Sequence, residues 1–485
     1  MKFPNLFNLF KRPPPVKRQY SAANINRLTS DWITSGLSAD AELYKSLRLL
    51  RNRSRELCIN NDYARRFLKR TSTNVIGNSG IRLQVRAVDN SGNFLSGINN
   101  QIMAQFESWS KKNNCTVDGR LSWIDCQRLF LESVARDGEV IIRLVKGFDN
   151  GFGFALQFIE ADHLDEELNK TLTDGSYIRM GIEFNKWNRP VAYHLLTSHP
   201  GELFKCRENK KYQRIPAGEI IHAFIIDRPS QSRGVPWMHS AMLRLRMLAG
   251  YEEAELVAAR VGASKMGFFV SPDGSGYLGS DDGRGNKLME AEPGIFEQLP
   301  SGMDVKLFDP NHPTSSFADF EKSILRGIAS GLDISYATLA NDLENVNFSS
   351  IRHGSLEDRD SWRMLQNWLI EHFCNPIFES WLLMAITNNK IPISIGEFDR
   401  YNKPIWRPRG WAWVDPLKDN HANQIAIDQK TRSRSQIVAD QGIDIEELFK
   451  QIVFEEELAK KYGLNLNKEQ ETNDRQEITN DETDE

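Results

Sequence analysis

The chain has 485 residues, of which 40% are apolar and 26% are charged, and its formal net charge is −4. This length predicts two to four domains or lobes, and the slight acidity argues against a tight nucleic-acid binder, because such proteins are usually basic. No apolar run approaches the roughly 20 residues that span a bilayer, and the first residues lack a signal-peptide pattern, so we expect a cytoplasmic protein without a membrane partner.

The N-terminal part predicts an arm followed by helix. Residues 1–30 contain Pro13 to Pro15, which cannot form a helix interior. Residues 38–77 have apolar side chains at helical spacing: Leu43, Leu47, Leu50, Leu57, Ala64, Phe67 and Leu68. Most arginines lie off this apolar face: Arg48, Arg51, Arg53, Arg55, Arg65, Arg66 and Arg70. We expect a solvated face, with contact to nucleic acid or an acidic partner as the alternative.

The next part predicts a mixed lobe of helices and strands. Ile81, Leu83 and Val85 alternate with polar residues, as in a strand, and helices are expected at about 97–110 and 124–136. Five later runs have strand character: 139–145, 154–159, 177–184, 190–196 and 220–226. Turn signals between them, such as Asn188-Arg-Pro, predict a largely antiparallel sheet.

Two helices are predicted on either side of a small β module. The run 237–263 has no internal proline and would be about 40 Å long as a helix. A second helix is expected at about 315–332, where apolar residues again have helical spacing. Between them, short strand-like runs and a loop rich in Gly and Asp occupy residues 264–310. The sequence therefore predicts a hairpin of helices with a β tip.

The segment Asn341–Arg352 is polar and amide-rich, and it lies between strongly helical runs. It can form hydrogen bonds but contains no obvious group of catalytic residues, so we expect it to contact a partner. The helix after it should bend near Pro376, where the backbone lacks a donor. Trp362, Trp368 and Trp381 are expected in its core-facing side.

The C-terminal part is expected to change from irregular to helical and then to disordered. Residues 391–418 read as irregular to β, and residues 420–462 as helical. Residues 469–485 hold eight Asp or Glu against one Arg and almost no large apolar side chain, so we expect an acidic, disordered tail.

The sequence contains only weak motifs for nucleotide binding, catalysis or metal binding. Gly274–Gly279 matches GxGxxG, but acidic and glycine-rich residues follow it where a nucleotide-binding fold needs a helix. A cluster of acids at Glu160, Asp162, Asp165 and Glu166 is expected to be solvated or to cap a loop. The five cysteines have no CxxC spacing and the nine histidines are dispersed, so we expect reduced thiols, no metal and no cofactor. The chain is not expected to be an enzyme.

Five groups of segments carry a resemblance to a known family. They lie at residues 49–57 with 60–64, 74–83, 228–237, 327–336 with 345–352, and 413–419 with Ala422. Together these segments resemble the portal proteins of lambda-type tailed bacteriophages. The resemblance covers roughly residues 20–460 and is specific through the number and order of its motifs.

The resemblance implies an α+β, multi-lobed portal fold with a wing, a helical stem, a small β clip and a helical crown, assembled as a ring. It maps an N-terminal arm to 1–30 and an α+β wing to 31–235. The stem would comprise helices at 236–263 and 311–333, with the clip at 264–310 between them. A tunnel loop would follow at 334–350, then a bent wing helix at 351–395, a crown at 396–462 and the tail at 463–485.

The resemblance also implies a function and partners. The ring, usually dodecameric, would be a conduit for double-stranded DNA at a capsid vertex during packaging and ejection. DNA would be bound without sequence preference, and the clip would face the terminase large subunit and later the head-tail connector proteins. Major capsid and scaffold proteins are further expected partners. The protein would be found in the virion, and in the host cytoplasm during assembly.

The candidate DNA-channel residues are Glu344, Asn345 and Asn347 in the tunnel loop and Lys322 and Arg326 in the stem. For the two stem cations, a solvated face or a salt bridge to a neighbouring copy remains the alternative. The candidate residues of the clip that face terminase or connector are Asp281, Asp282 and Arg284. Two other functions remain open: a capsid-associated adaptor without a channel, and a nucleotide-dependent enzyme.

Overall fold

A computed structural model gives the fold of this chain. It describes residues 30–34, 36–89, 95–203, 211–263, 317–344, 348–411, 416–442 and 445–464, with shorter pieces at 27, 91–92, 267–270, 280–281, 287–288 and 304–307. The arm predicted at 1–30 and the tail predicted at 463–485 lie almost entirely outside the described residues. In the described part, no helix is both long enough and apolar enough to cross a membrane.

The N-terminal helical region consists of α1 (Ala39–Leu43), α2 (Leu47–Asn60) and α3 (Asp62–Val75). The prediction of a continuous helical stretch was therefore too simple. Asn61 has an extended backbone, and its side-chain oxygen accepts a hydrogen bond from the Ala64 N–H, which begins α3. Asn favours such a cap over a helix interior, so the chain breaks there and α2 and α3 pack against each other.

Residues 96–224 combine helices with antiparallel sheets. Helices α4 (Ser96–Trp109) and α5 (Trp123–Asp137) precede strands β2 (Glu139–Phe148) and β3 (Gly153–Ile159), and α5 begins with a capping box between Ser122 and Asp125. β2 pairs with β3 on one side and with β9 (Ile220–Phe224) on the other.

A second antiparallel sheet follows the chain order from β4 to β8. Its strands are β4 (Lys170–Thr171), β5 (Tyr177–Arg179), β6 (Ile182–Phe184), β7 (Pro190–Leu196) and β8 (Tyr212–Pro216). The single strand predicted at 177–184 was wrong, because Met180 and Gly181 both have positive φ and turn the chain into a hairpin.

The long predicted helix is α6 (Met242–Ala263), and it packs against α7 (Phe317–Gly331). It begins later than predicted, because residues 236–242 form successive tight turns. Between the two helices, β10 (Gly267–Val270) pairs with β13 (Asp304–Leu307), and β11 (Ser280–Asp281) pairs with β12 (Lys287–Leu288). The order of helix, strands and helix agrees with the prediction.

After α8 (Tyr336–Ala340), a long helical run comprises α9 (Phe348–Leu369), a π-helical turn at Ile370–Cys374 and α10 (Asn375–Thr387). The irregular turn lies directly before Pro376, where the sequence predicts a bend. The remaining elements are α11 (Phe398–Tyr401), β14 (Pro404–Arg407), α12 (Pro416–Asp428), α13 (Arg434–Asp440) and α14 (Ile445–Lys461). β14 pairs with β1 (Arg82–Val85).

The largest core among the described residues joins α4 and α5 to α10 and is rich in aromatic rings. Trp381 is fully buried, and its ring meets that of Phe106 edge-on with 4.9 Å between centroids. Trp123 stacks on Phe373 at 5.0 Å. A separate core beneath α2, α3, α6 and α7 holds the α6–α7 pair against the N-terminal helices, and Leu339 of α8 belongs to the same core.

Candidate DNA-contacting segment and its supports

Residues 341–344, part of the tunnel loop predicted at 334–350, follow directly after α8 (Tyr336–Ala340), a short helix inside that predicted region. Asn341 has a left-handed backbone (φ 60°), and its N–H bonds to the carbonyl of Ala337, which ends the helix. Glu344 is exposed. Asn345 and Asn347 lie outside the described residues, so their placement in a channel stays a prediction.

Two of the predicted site residues form a contact. The Lys322 Nζ lies 3.3 Å from the Glu344 Oε2 and 3.7 Å from the Asp342 Oδ2. The hydrogen bond to Glu344 and the charge of Asp342 raise the pKa of Lys322. Within the chain, this ion pair ties the polar segment to α7, and a salt bridge of Lys322 to a neighbouring copy stays a prediction.

Arg326, one helical turn further along α7, contacts a different partner. Its guanidinium lies over the ring of Tyr336, 5.5 Å from the centroid. The hydroxyl of Tyr336 donates to the Asp342 Oδ2 at 2.8 Å. Lys322 contacts the 341–344 segment directly and partly neutralises its acidic side chains, whereas Arg326 supports the segment through Tyr336.

Arg66 on α3 is a support that the sequence did not reveal. Its Nε donates to the carbonyl of Thr338 at 2.9 Å, and its Nη2 donates to the Asn341 Oδ1 at 2.9 Å. Arg66 and Asn341 are 275 positions apart in the chain. No local pattern could have identified this contact.

Asp358 on α9 anchors the start of α8. Its carboxylate accepts hydrogen bonds from the Ser335 N–H, the Ser335 hydroxyl and the Thr338 hydroxyl, at 2.8, 2.8 and 2.7 Å. The side chain is buried. This carboxylate fixes the N-terminus of the short helix from which the polar segment emerges.

Replacing Asp358 with alanine is expected to lower the free energy of unfolding by about 2 kcal/mol, because three donors lose a charged acceptor at once. Thermal or denaturant unfolding measures this loss. Asp360→Ala on the same helix is the matched control, because Asp360 pairs with Arg363 at the surface and should contribute less than about 0.5 kcal/mol. Equal effects of the two substitutions would contradict the anchoring role.

The predicted clip residues are only partly described. Asp281 lies in β11, where it pairs in register with Lys287 of β12. Asp282 and Arg284 lie outside the described residues. The contact of all three with terminase or connector stays a prediction.

A buried ionic cluster surrounds Glu139, at the start of β2. The Arg233 Nε lies 2.9 Å from the Glu139 Oε2, the Arg51 Nη2 lies 2.8 Å from Oε1, and the His222 Nε2 lies 2.9 Å from Oε2. Arg233 also donates to the carbonyls of Leu164, Met180 and Ala161. The solvated face expected for Arg51 is therefore wrong, since its side chain is 1% exposed.

Two of the four acids predicted to be solvated or to cap a loop after β3 are instead paired with arginines of α2. The Arg55 Nη2 contacts the Asp162 Oδ2 at 2.6 Å, and the Arg51 Nη1 contacts the Glu166 Oε1 at 3.3 Å. Both carboxylates are largely buried by these ion pairs. Asp162 and Glu166 are therefore structural partners of the α2 arginines and belong to the same network as Glu139. Glu160 is exposed and Asp165 accepts a hydrogen bond from the Glu167 N–H in the loop, as predicted for this cluster.

The position of Arg233 depends on a close approach between the backbone at Gly138 and the backbone of residues 234–236. Gly138 has a φ of 91°, and a Cβ added there would lie 2.5 Å from the Val235 carbonyl carbon. Glycine is thus required at the junction of α5 and β2. The segment 228–237, one of those that carry the family resemblance, is held against β2 in this way.

The pKa of Glu139 lies well below its ordinary value. Burial by itself raises it, but the positive charge of Arg233 and the hydrogen bonds from His222 and Arg233 outweigh that effect. The carboxylate therefore stays ionised inside the protein, and its role is to hold β2, α2 and the 228–237 segment together.

Among the described residues, Glu160, Asp162 and His199 lie close enough together to suggest a cation site. The Gly201 N–H, however, points at the His199 Nδ1 at 3.0 Å, which makes that nitrogen an acceptor. The ring proton of neutral His199 then lies on Nε2, the atom that faces the acids. This nitrogen has no lone pair to offer, so the three residues do not suit a metal ion.

Similar solved structures come from gene transfer agent particles. The neck of an empty particle, computed with C6 symmetry, matches with a TM-score of 0.44 and 11% identity, over 84% of this chain and 95% of that one. The neck of a native particle, computed with C12 symmetry, matches with a TM-score of 0.43 and 12% identity, over 80% and 93% of the two chains.

Sequence comparison gives closer relatives. The probable portal protein of Halomonas phage phiHAP-1 is 37% identical over 461 residues, which cover 94% of this chain and 89% of the relative. Portal protein B of Escherichia phage lambda is 21% identical over 481 residues, covering 87% and 86% of the two chains. The family model for phage portal proteins of the lambda family matches residues 26–366. The chain therefore belongs to the lambda family of phage portal proteins.

Proposed function

We propose that this chain is the subunit of a portal ring through which double-stranded DNA passes during packaging and ejection. Membership of the lambda portal family supports the conduit function. The ring would lie at a capsid vertex of the virion and would assemble in the host cytoplasm. A dodecamer is the subunit number that the family suggests.

The observation that supports ring assembly is a stripe of exposed apolar residues on α6. Leu243, Met247, Gly250, Ala254 and Val257 follow one another at alternating spacings of four and three residues, and all are exposed in the single chain. Leu243 and Met247 expose 71% and 66% of their surface. A stripe with this period suits packing against another helix, and the small residues in its centre permit a close approach.

The opposite face of α6 already has its partners. Leu245 and Leu248 are buried in the core shared with α2, α3 and α7. The exposed stripe is therefore not needed to fold the subunit, and a second copy of the chain is its proposed occupant. In a closed ring every copy would bury its stripe against a neighbour.

In the proposed ring, the segment 341–347 would contact passing DNA. Glu344, Asn345 and Asn347 would face the channel, and Lys322 and Arg326 would support the segment from α7. The ion pair of Lys322 with Glu344 supports this proposal, because it reduces strong cation–phosphate contacts that would slow a sliding duplex. Amide side chains make weaker contacts, which the ring would repeat in every copy.

The clip, residues 264–310, would contact the terminase large subunit and later the head-tail connector proteins. Asp281, Asp282 and Arg284 would contribute to that surface, and capsid and scaffold proteins would contact the outside of the ring. The subunit would act as a structural protein without catalysis.

Negative-stain imaging of the purified chain tests the proposal. Rings with a central hole are the expected result. Compact monomers, or open assemblies without a hole, would indicate an adaptor without a channel. A monomer whose melting temperature rises when nucleotide is added would indicate an enzyme instead.

Replacing Asn345 and Asn347 together with leucine is expected to reduce DNA packaging while ring assembly stays normal, because bulky apolar groups replace weak hydrogen-bonding groups in every copy. Ring yield is measured by imaging and packaged DNA by nuclease protection. Asn52→Leu with Asn60→Leu, on the exposed face of α2, is the matched control and should package normally. Normal packaging by the Asn345/Asn347 variant would show that the segment does not contact DNA.

A further inference from the structure

A basic surface follows α3 and continues onto the segment after β14. It consists of Arg65, Arg66, Lys69, Arg70, Arg82 and Arg409, and we call these six residues the basic ridge. They line two cavities of about 380 and 340 Å³ that meet at Thr73. Among the described residues lining these cavities, the only acid is Asp62.

The ridge is a consequence of how α3 packs. Ala64, Phe67 and Val75 are buried on one face of the helix, so Arg65, Lys69 and Arg70 lie exposed on the other. At the far end, the Arg409 Nη1 donates to the carbonyl of Thr73 at 3.0 Å, which places its guanidinium next to α3. Two chain segments more than 300 residues apart thus contribute to one positive surface.

An aromatic ring organises the cations beside this far end. The guanidinium carbons of Arg359, Arg363 and Arg409 lie 6.0, 5.5 and 5.5 Å from the ring centroid of Trp411. The Trp411 Nε1 donates to the Asn74 Oδ1 on α3 at 3.2 Å. Planar guanidinium groups held against a ring are preorganised for phosphate, to which they donate through paired N–H groups.

Crowding of like charges indicates that the ridge suits an anion. The pKa of Arg66 is lowered by burial and by the charge of Arg70, and the pKa of Arg359 is lowered by burial and by the charges of Arg363 and Arg409. These cations repel one another in the isolated subunit. A chain with a net charge of −4 nevertheless collects them on one face, and an anion bound there would remove the repulsion.

We propose that the basic ridge is a binding site for the phosphate backbone of duplex DNA, separate from the predicted channel contacts of Glu344, Asn345 and Asn347. The identity of the anion rests on the proposed portal function. α3 is about 20 Å long, the axial length of about six phosphates on one DNA strand. Arg66 joins the ridge directly to the 341–344 segment through Asn341, so DNA at that segment lies near the ridge.

The ridge would act differently from the amide-rich segment. Several guanidinium–phosphate contacts bind strongly and slow a sliding duplex. The ridge therefore suits DNA that is held in place, whereas Asn345 and Asn347 suit DNA in motion.

The test is DNA binding by the full chain with Arg65, Lys69 and Arg70 replaced together by alanine. Fluorescence anisotropy with a short linear duplex is measured over a series of salt concentrations. We expect about 10- to 100-fold weaker binding near 0.1 M salt. The log–log salt dependence should also become shallower, by up to about 0.9 for each phosphate that the variant no longer binds. Arg66 is left intact because it supports Asn341.

The matched control replaces Arg53, Lys170 and Arg189 with alanine, which removes the same charge from exposed sites off the ridge. It should bind DNA within about twofold of the wild type. Equal reductions of affinity in the two variants would show that only net charge matters and would overturn the proposal. If the ridge variant matches the wild type, and differs from it only after residues 469–485 are deleted, the chain's own acidic tail occupies the ridge and the proposal is overturned.

Negative-stain imaging of the same samples separates this proposal from the proposed function. Rings that form normally but bind DNA as tightly after the ridge substitutions would overturn the ridge alone. If the wild-type chain forms no rings, and the ridge variant still binds DNA more weakly than the wild type, the proposed conduit is overturned and the ridge remains a DNA-binding site.

Discussion

Replacing Met247 with glutamate is expected to prevent ring assembly and leave a folded monomer. In the proposed ring the Met247 side chain lies within the α6 stripe, against a neighbouring copy. A carboxylate buried there without a partner costs several kcal/mol in every interface, and a ring needs all of its interfaces. In the monomer the position is 66% exposed, so the charge remains in water and the subunit stays stable.

Size-exclusion chromatography with light scattering measures the mass, and thermal unfolding measures the stability of the monomer. Met247→Leu keeps the apolar side chain and should assemble as the wild type does. Rings formed by Met247→Glu at wild-type yield would show that the stripe lies outside the interface. If Met247→Glu also lowers the melting temperature of the monomer, the side chain has a role inside the subunit.

Local patterns predicted many elements of this fold, because the features that define those elements are local. The helical spacing of apolar residues in α7, the alternation in β1 and Pro376 just after the irregular turn of the long helix are each signals carried by a few neighbouring residues. The hairpin at Met180 and Gly181 was missed although its glycine was visible, because strand character on both sides outweighed a single turn signal. The break at Asn61 was missed for a similar reason.

The candidate site also contains contacts that follow from local sequence and contacts that do not. Lys322 and Glu344 were selected from sequence, and they meet because α7 and α8 are consecutive and pack side by side. Arg66, Asp358 and the basic ridge could not be predicted as a group, since their contacts join α3, α8, α9 and the segment after β14. Helical periodicity separated buried from exposed faces of α2, but it could not show that a second layer covers Arg51.

Replacing Glu139 with glutamine is expected to have the largest effect on the stability of the subunit, with a loss of about 3–5 kcal/mol. The substitution preserves the shape of the side chain but leaves the buried guanidinium groups of Arg233 and Arg51 without their main counter-charge. Denaturant unfolding measures the loss. Glu42→Gln is the control, because Glu42 pairs with Arg228 at the surface, where both side chains are about half exposed, and should contribute less than about 1 kcal/mol.

A double substitution separates the ion pair from simple misfolding. If the cost comes from unpaired buried cations, Glu139→Gln combined with Arg233→Met should lose less stability than the sum of the two single variants. Additive effects would mean that the two residues act independently. Arg233 also holds three backbone carbonyls, so the double variant is still expected to be less stable than the wild type.

The pH dependence gives the same prediction a second readout. The pKa of Glu139 is lower in the folded state than its ordinary value of 4.5, so its contribution is fully present above about pH 4.5 and declines as the pH falls towards the folded-state pKa. The wild type should therefore lose stability below about pH 4.5 more steeply than Glu139→Gln, which has no proton to take up at this position. Because the other carboxylates titrate in both proteins, the difference between the two curves isolates Glu139. Parallel curves would mean that the charge of Glu139 does not stabilise the fold, and the cluster would then act through its shape and its backbone hydrogen bonds alone.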